Sequence, residues 1–519
     1  MPARTSLSLF LLGLLLRAGV GLGPHSGLGH PPMHGDFEAQ RHWMEITANL
    51  PVEEWYRGWH PSNDLQYWGL DYPPLTAYHS LALGKTLQMI SPESVALLES
   101  RGSETSETRT WMRATALLSD ALTFLPAIIY YLGSSQQKTI DILFAVTSPA
   151  LILIDHGHFQ FNCVAHGLAV LAWAVLDDHG RGDTTPRRAV LSSILFCLSL
   201  NFKQMSLYYA PVMFFYLFGW AMTAKDSVKV RPVLKVFLTR LVLLGMTVIA
   251  TFALVWAPFL YTGTAPQVLR RVFPFERGLF EDKVANFWCT LNVAIKWRSV
   301  ISRNANLLLA FVVTVATIAP SCVLTMFKHR GSRELRWPLF TVSLSFFLFS
   351  FQVHEKSILL PLVPAVLLAD EDFFTAFWFS MFASVSMVPL FVKDRIVFTA
   401  FALMGLYAAM AVLLRPHEFT LRDEHSRETK WQLVVAIIAF IGLLGTTGLI
   451  LAATPPQRYP DLFVVMHNSL SFVVFFAFWV LGNNRQLEPK KQPTVSSSAV
   501  VDETDSGGIP VLELDKKTK

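Results

Sequence analysis

Apolar positions come along this chain in long runs, not in the short alternations of a fold that faces water on one side. A first run covers 6–22. A polar, aromatic-rich stretch follows from 23 to 109. Further runs lie near 111–132, 138–154, 161–177, 189–202, 205–222, 235–260, 306–327, 337–352, 356–369, 373–392, 396–414, 431–452 and 461–482. About 20 apolar residues in a helix fill a hydrocarbon core of roughly 30 Å. The pattern therefore predicts an all-α polytopic membrane protein with about 14 transmembrane helices. Some runs fall short of that length, which is tolerated where helices bury one another or line a wet cavity. The first run, preceded by Arg4, also has the form of a signal peptide. We read it as an uncleaved anchor over 1–22.

An even number of crossings puts both termini on one side. Lys and Arg gather in the short loops near 181–188, 225–231, 328–336 and 415–430, and are sparse near 155–160, 200–204, 356 and 393–395. Cytoplasmic loops carry the excess of basic residues. The first set and both termini are thus expected in the cytosol. The two long loops, 23–110 and 261–305, are expected to face the lumen and to contain short helices. The membrane domain then spans 111–482. The tail, 483–519, is polar and poor in aromatics, so disorder is expected. It ends Lys516-Lys517-Thr518-Lys519, the spacing of a dilysine retrieval signal for the endoplasmic reticulum.

Composition agrees with a membrane location. Of 519 residues, 52% are hydrophobic and 16% charged, against about 25% charged in soluble domains. The net charge of +5 is modest and reads as loop charge, not as a nucleic-acid surface. Cys163, Cys197, Cys289 and Cys322 are scattered, with no C-x-x-C pair; three of them sit in apolar runs and read as small buried residues.

The unusual polar clusters fall almost entirely on the side assigned to the lumen. In GDFEAQRHW, 35–43, Asp36 is placed either to cap a helix or to do chemistry. In LQYWGLDYPP, 65–74, the aromatics Trp68 and Tyr72 on either side of Asp71 offer sugar-stacking faces or an interfacial aromatic belt. In DHGHFQFN, 155–162, His156 and His158 lack a third ligand at zinc spacing, so a polar corner lining a cavity is the better reading. Lys203 occupies a similar corner at 201–204. Arg277 lies in RRVFPFERGLFEDKVANFW, 270–288, whose charges can pair within a solvated amphipathic helix. In QVHEKS, 352–357, His354 and Lys356 are potential phosphate donors, with snorkelling the competing role for the lysine. No glycine-rich phosphate loop is present. Carboxylates, aromatics and cations on one face suit transfer of a group from a lipid phosphate. A carboxylate deprotonates the incoming hydroxyl, and cations stabilise charge growing on the departing phosphate. Such a leaving group needs no general acid, unlike the two-carboxylate chemistry of most glycoside hydrolases.

At these residues the chain resembles the dolichyl-phosphate-glucose-dependent glucosyltransferases of the endoplasmic reticulum. GDFEAQRHW, NDLQYWGLDYPPLTAYHS, DHGHFQFN, FPFERGLFEDKVANFW and FQVHEKSILL carry the resemblance, which runs from about 31 to 392. It implies a multi-pass C-type glycosyltransferase (GT-C) fold with a lumenal cavity and no nucleotide-sugar site. No cofactor is expected, and the residue inventory offers no carboxylate triad facing the lumen that would fix a metal. Asp36 takes the place of the family's catalytic base. His354 and Lys356 are expected to face the donor phosphate. Trp68, Asp71, Tyr72, His158, Lys203 and Arg277 are weaker candidates for substrate contact. The implied partners are dolichyl phosphate glucose as donor and the high-mannose dolichyl-pyrophosphate oligosaccharide of protein N-glycosylation as acceptor. Gly35 before the aspartate, the longer LQYWGLDYPP and GLFEDKVANFW resemble the enzymes that add the first, α-1,3-linked glucose by inversion. The alternatives are the sibling that adds the second glucose and, in another class, a lipid-sugar transporter or flippase. Transporters often show internal repeats, and none is obvious here.

Overall fold

A computed structural model describes residues 3–133, 138–176, 184–223, 230–273, 283–327, 331–420 and 427–488. Among them the regular structure is helical throughout. The first helix, α1 (Ala3–Gly21), buries Leu9, Gly13, Arg17 and Val20. Those positions share one helical face. Leu7, Leu11 and Leu15 stay exposed on the others. A helix that is apolar all round but buried on one stripe has its other faces turned to lipid.

The polar stretch after α1 folds into a cap over one end of the bundle. It contains α2 (Asp36–Asn49) and α3 (Pro74–Ile90). Pro73 and Pro74 bring the chain in extended and start α3, since proline suits the first helical turn. Glycine at 84 lets the two helices touch, because a Cβ there would lie 2.5 Å from the Met44 carbonyl oxygen. A small aromatic core of Trp43, Trp55, Tyr56 and Phe259 ties the cap to the membrane helices.

The bundle proper runs through α4 (Ser106–Leu122), α5 (Phe124–Leu132), α6 (Lys138–Val146), α7 (Pro149–Ile152), a π-helical turn at Leu153–Phe159, α8 (Asn162–Ala174), α9 (Pro186–Phe202) and α10 (Ala210–Met222). Then come α11 (Val230–Tyr261), α12 (Ala265–Val272), α13 (Phe287–Leu291), α14 (Trp297–Val300), α15 (Arg303–Phe327), α16 (Arg336–Phe349) and α17 (Leu359–Val366). The last five are α18 (Phe373–Ser386), α19 (Val388–Lys393), α20 (Val397–Leu414), α21 (Arg427–Ala452) and α22 (Leu462–Leu487).

The apolar runs read from the sequence fall largely in helices among the described residues, but they are not all alike. By length and composition, eight helical stretches among the described residues suit a membrane crossing, or nine if the pair bent by 45° at the end of α6 is one span. The expected fourteen is not reached on that measure. The difference lies in burial. Every residue of α17 and all of α18 except Phe374 are buried, so these runs are apolar because they face protein. A helix that meets no lipid need not match the hydrocarbon thickness.

Residues up to Gln486 form one unit. Beyond it only Leu487 and Glu488 are described. Residues 483–487, expected in a disordered tail, instead continue α22; the tail from 489 on, with its dilysine, lies outside the described residues, as does Arg277.

Candidate active site

Asp36 opens α2, yet it does not cap it. Gly35, in extended conformation, is the capping position and contributes no side chain. The Ser26 hydroxyl does the work instead, accepting from the backbone N–H of Asp36 at 2.6 Å and of Phe37 at 3.4 Å. That approach requires glycine at 35, because a Cβ would lie 2.7 Å from Ser26. With the orphan N–H groups satisfied, the Asp36 carboxylate is free to point elsewhere.

It points at the π-helical turn. π-turns widen a helix locally and recur at functional sites. This one is fixed from several directions. Asp155 accepts from the Asn162 amide at 2.7 Å and the Cys163 N–H at 2.6 Å. Arg113 donates to the carbonyls of His156, Gly157 and Pro24. Phe159 ends the turn at φ +88°, a conformation costly for an aromatic residue. These bonds hold His158 and Gln160 toward Asp36.

Three donors then meet on one oxygen of Asp36. His158 Nε2 lies 2.9 Å from Oδ2, Lys356 Nζ lies 2.5 Å from it, and the Gln160 amide also donates to it. The other oxygen, Oδ1, has no hydrogen-bond partner among the described residues, and the side chain is 21% exposed. Burial pushes the Asp36 carboxyl up. Lys356 and His158 outweigh that and hold it well below the usual 3.8. A second carboxylate stands behind the histidine, with Asp394 Oδ2 2.5 Å from His158 Nδ1.

A second rank supports the first. Lys203 donates to Gln160 Oε1 at 3.2 Å and Asn162 Oδ1 at 2.6 Å. Its ammonium sits 4.6 Å from the centre of the Tyr72 ring, within cation–π range. Tyr72 in turn meets Trp43 edge to face at 5.0 Å. Of the residues singled out from sequence, Asp36, His158 and Lys356 thus touch directly, and Lys203 and Tyr72 join through Gln160. The others have different surroundings. Trp68 frames the loop, its carbonyl accepting from the Trp43 indole at 2.8 Å and its own indole donating to Met33. The Asp71 carbonyl accepts from Gln204 at 3.4 Å. The His354 carbonyl begins the turn that carries Lys356, accepting from the Ser357 N–H, and its ring makes no hydrogen bond to Asp36 or His158.

The remaining acidic residues of the first cluster are engaged in structure. Arg41 bridges Glu38 and Glu45 at 2.6 and 2.7 Å, all fully buried. Burial would raise Glu45, but His42 and Arg41 hold it at about 2. The paired histidines part ways as well. His156 Nε2 joins Asp120 at 2.9 Å, which also pairs with Arg17 at 2.5 Å. No group of three His, Cys, Asp or Glu side chains suited to a metal occurs among the described residues.

Three members escaped sequence reasoning. Gln160 stood inside DHGHFQFN but looked like an ordinary polar corner residue. Asp394 lay between Lys393 and Arg395, which drew notice only for their charge. Nothing in the sequence marks Ser26. Chemically, the arrangement offers one carboxylate gripped on one side and open on the other, with a cation beside it. It suits proton abstraction next to an anionic leaving group.

Comparison with known proteins gives a consistent result. The chain is 42% identical to the dolichyl pyrophosphate Man9GlcNAc2 alpha-1,3-glucosyltransferase of Gallus gallus, over 91% of this chain and 94% of that one. It is 37% identical to the protein of the same name from Saccharomyces cerevisiae, over 91% and 89%. Among solved structures, ArnT from Cupriavidus metallidurans, bound to undecaprenyl phosphate, aligns with a TM-score of 0.38 and 14% identity, covering 93% of this chain and 78% of that one. Residues 9–481 match the ALG6, ALG8 glycosyltransferase family, and the chain belongs to that family.

Proposed function

We propose that the protein transfers glucose from dolichyl phosphate glucose to the Man9GlcNAc2 oligosaccharide on dolichyl pyrophosphate, forming the first α-1,3-glucose linkage. The observation that carries this reading is the single carboxylate of Asp36, with Oδ2 held by three donors and Oδ1 open. The names of the relatives, at 37–42% identity, support the choice of acceptor and linkage.

In the reaction, the acceptor hydroxyl oxygen attacks C1 of the donor glucose while its proton passes to Asp36 Oδ1. The bond from C1 to the phosphate oxygen breaks, and its electron pair stays on the phosphate. Attack opposite the leaving group inverts the β-linked donor to an α-linked product. Lys356 is the cation placed to receive the charge. Before substrate arrives it is spent on Asp36, which is then a weak base. A donor phosphate competes for the same ammonium. As Lys356 turns to the phosphate, Asp36 loses a counter-charge and becomes more basic. Base and leaving-group clamp are thereby activated by the same substrate.

The lysine and arginine distribution supports a site on the lumenal face of the endoplasmic-reticulum membrane with both termini in the cytosol. The test is direct. Purified protein, given dolichyl phosphate glucose and unglucosylated acceptor, should add one glucose that an α-1,3-specific glucosidase removes. Transfer only to an already monoglucosylated acceptor would select the sibling enzyme. Movement of the lipid sugar across vesicles without transfer would select a transporter.

A further inference from the structure

Asp394 closes the turn after α19 and is 4% exposed. Its Oδ2 lies 2.5 Å from His158 Nδ1, and His158 Nε2 lies 2.9 Å from Asp36 Oδ2. An imidazole donates to an oxygen on each side only when both its nitrogens carry hydrogen. Two flanking carboxylates provide the setting for that form. The four groups then balance, with Asp36 and Asp394 against His158 and Lys356.

The corner that carries Asp394 fits the π-turn closely. A Cβ on Gly157 would lie 3.0 Å from Ile396 Cδ1 and 3.4 Å from Val20 Cγ1. The glycine between the two histidines is thus where the segment after α19 packs down. Asp394 itself is set by its own N–H, which donates to the Leu390 carbonyl at 3.0 Å.

The three donors on Asp36 Oδ2 differ in what holds them. Lys356 is the one a donor phosphate would draw away. Gln160 is neutral and shared with Lys203. His158 alone is anchored from behind by opposite charge. Lys356 also lies 3.2 Å from His158 Nε2, so an unanchored ring would be disturbed when the ammonium moves. We propose that Asp394 is a positioning residue for the transfer reaction, acting through His158 to keep an N–H on Asp36 Oδ2 so that Oδ1 stays aimed at the acceptor hydroxyl once Lys356 has turned to the phosphate. This rests on the reading of Asp36 as the base.

The test uses the full chain in nanodiscs, with dolichyl phosphate glucose and lipid-linked acceptor. D394N should lose roughly tenfold to a hundredfold in kcat, the scale of a misplaced reacting group. Both KM values should stay within about twofold of wild type. In a His158→Gln background, D394N should add no further loss, because its path to the base is already cut. The proposal is overturned by an unchanged kcat, by a loss that persists in full in the His158→Gln background, or by a raised donor KM with kcat spared. Should D394N not accumulate as folded protein, His158→Gln must by itself lower kcat and spare both KM values, and a retained kcat overturns the proposal. Absence of transfer by the wild type would instead remove the proposed activity. An active wild type with an unimpaired D394N removes Asp394 alone.

Discussion

Lys356 Nζ lies 2.5 Å from Asp36 Oδ2, joining residues 320 positions apart in the chain. The contact is a partly exposed charge pair and not a buried staple, since the two side chains are 25% and 21% exposed. Its value is chemical. It favours the ionised carboxylate, and in the proposed reaction it is the contact that a donor phosphate would compete for.

Asp36→Asn should abolish transfer while leaving the fold intact. Asparagine keeps the shape and can turn its one amide oxygen to the three donors, but the NH2 then faces the acceptor hydroxyl and cannot take its proton. A general base contributes about 10²–10⁴-fold, so kcat should fall by at least two orders of magnitude. A thermal unfolding midpoint near that of the wild type, measured on the same preparation, separates this from misfolding. Near-normal turnover would remove Asp36 as the base.

Lys356→Ala should act on both substrate use and pH response. With no ammonium to meet the phosphate, donor KM should rise and kcat fall. The acid limb of kcat/KM should also move. Asp36 must be ionised to act, and in the wild type Lys356 and His158 overcome burial to hold it well below 3.8. Activity therefore persists above that lowered value and fails as pH falls through it. Without Lys356 the limb should shift to higher pH. A limb that stays in place would mean that Lys356 does not set the charge on Asp36.

Ser26→Ala should cost about 1 kcal/mol, the usual loss for removing a helix N-cap. The effect should extend beyond stability. The unsatisfied N–H groups of Asp36 and Phe37 would then compete for the Asp36 carboxylate, so kcat should fall several-fold with both KM values nearly unchanged. Calorimetry together with steady-state kinetics tests both halves.

Asp120→Ala should destabilise the membrane core by about 3–5 kcal/mol, as expected when one partner of a buried ion pair is removed. Asp120 serves Arg17 from α1 and His156 from the π-turn together, and both are almost fully buried. Arg17 also donates to the Val146 carbonyl at 2.7 Å. Chemical unfolding in a fixed detergent would report the loss. An unfolding midpoint equal to that of the wild type would show that α1 is not held through this pair.

The sequence by itself determined that the chain is a helical membrane protein and that its polar clusters lie where apolar runs end. Both follow from local physics, because long apolar runs are incompatible with water and polar groups cluster where the chain leaves lipid. It also carried Asp36, His158 and Lys356 into view, since each sits in a polar cluster beside an apolar run. The tertiary structure decided which of them meet. Asp36 alone leaves open a choice between capping a helix and catalysis, and that choice turns on Ser26, ten positions away. Asp394 lies 236 positions from His158, in a corner with no marked pattern. His354, two residues from Lys356, contributes its carbonyl to the turn that carries the lysine. Hydrophobic pattern is a property of neighbours in sequence. A convergence of three donors on one oxygen is a property of packing, and it exists only once the cap, the π-turn and the segments before α17 and after α19 have come together.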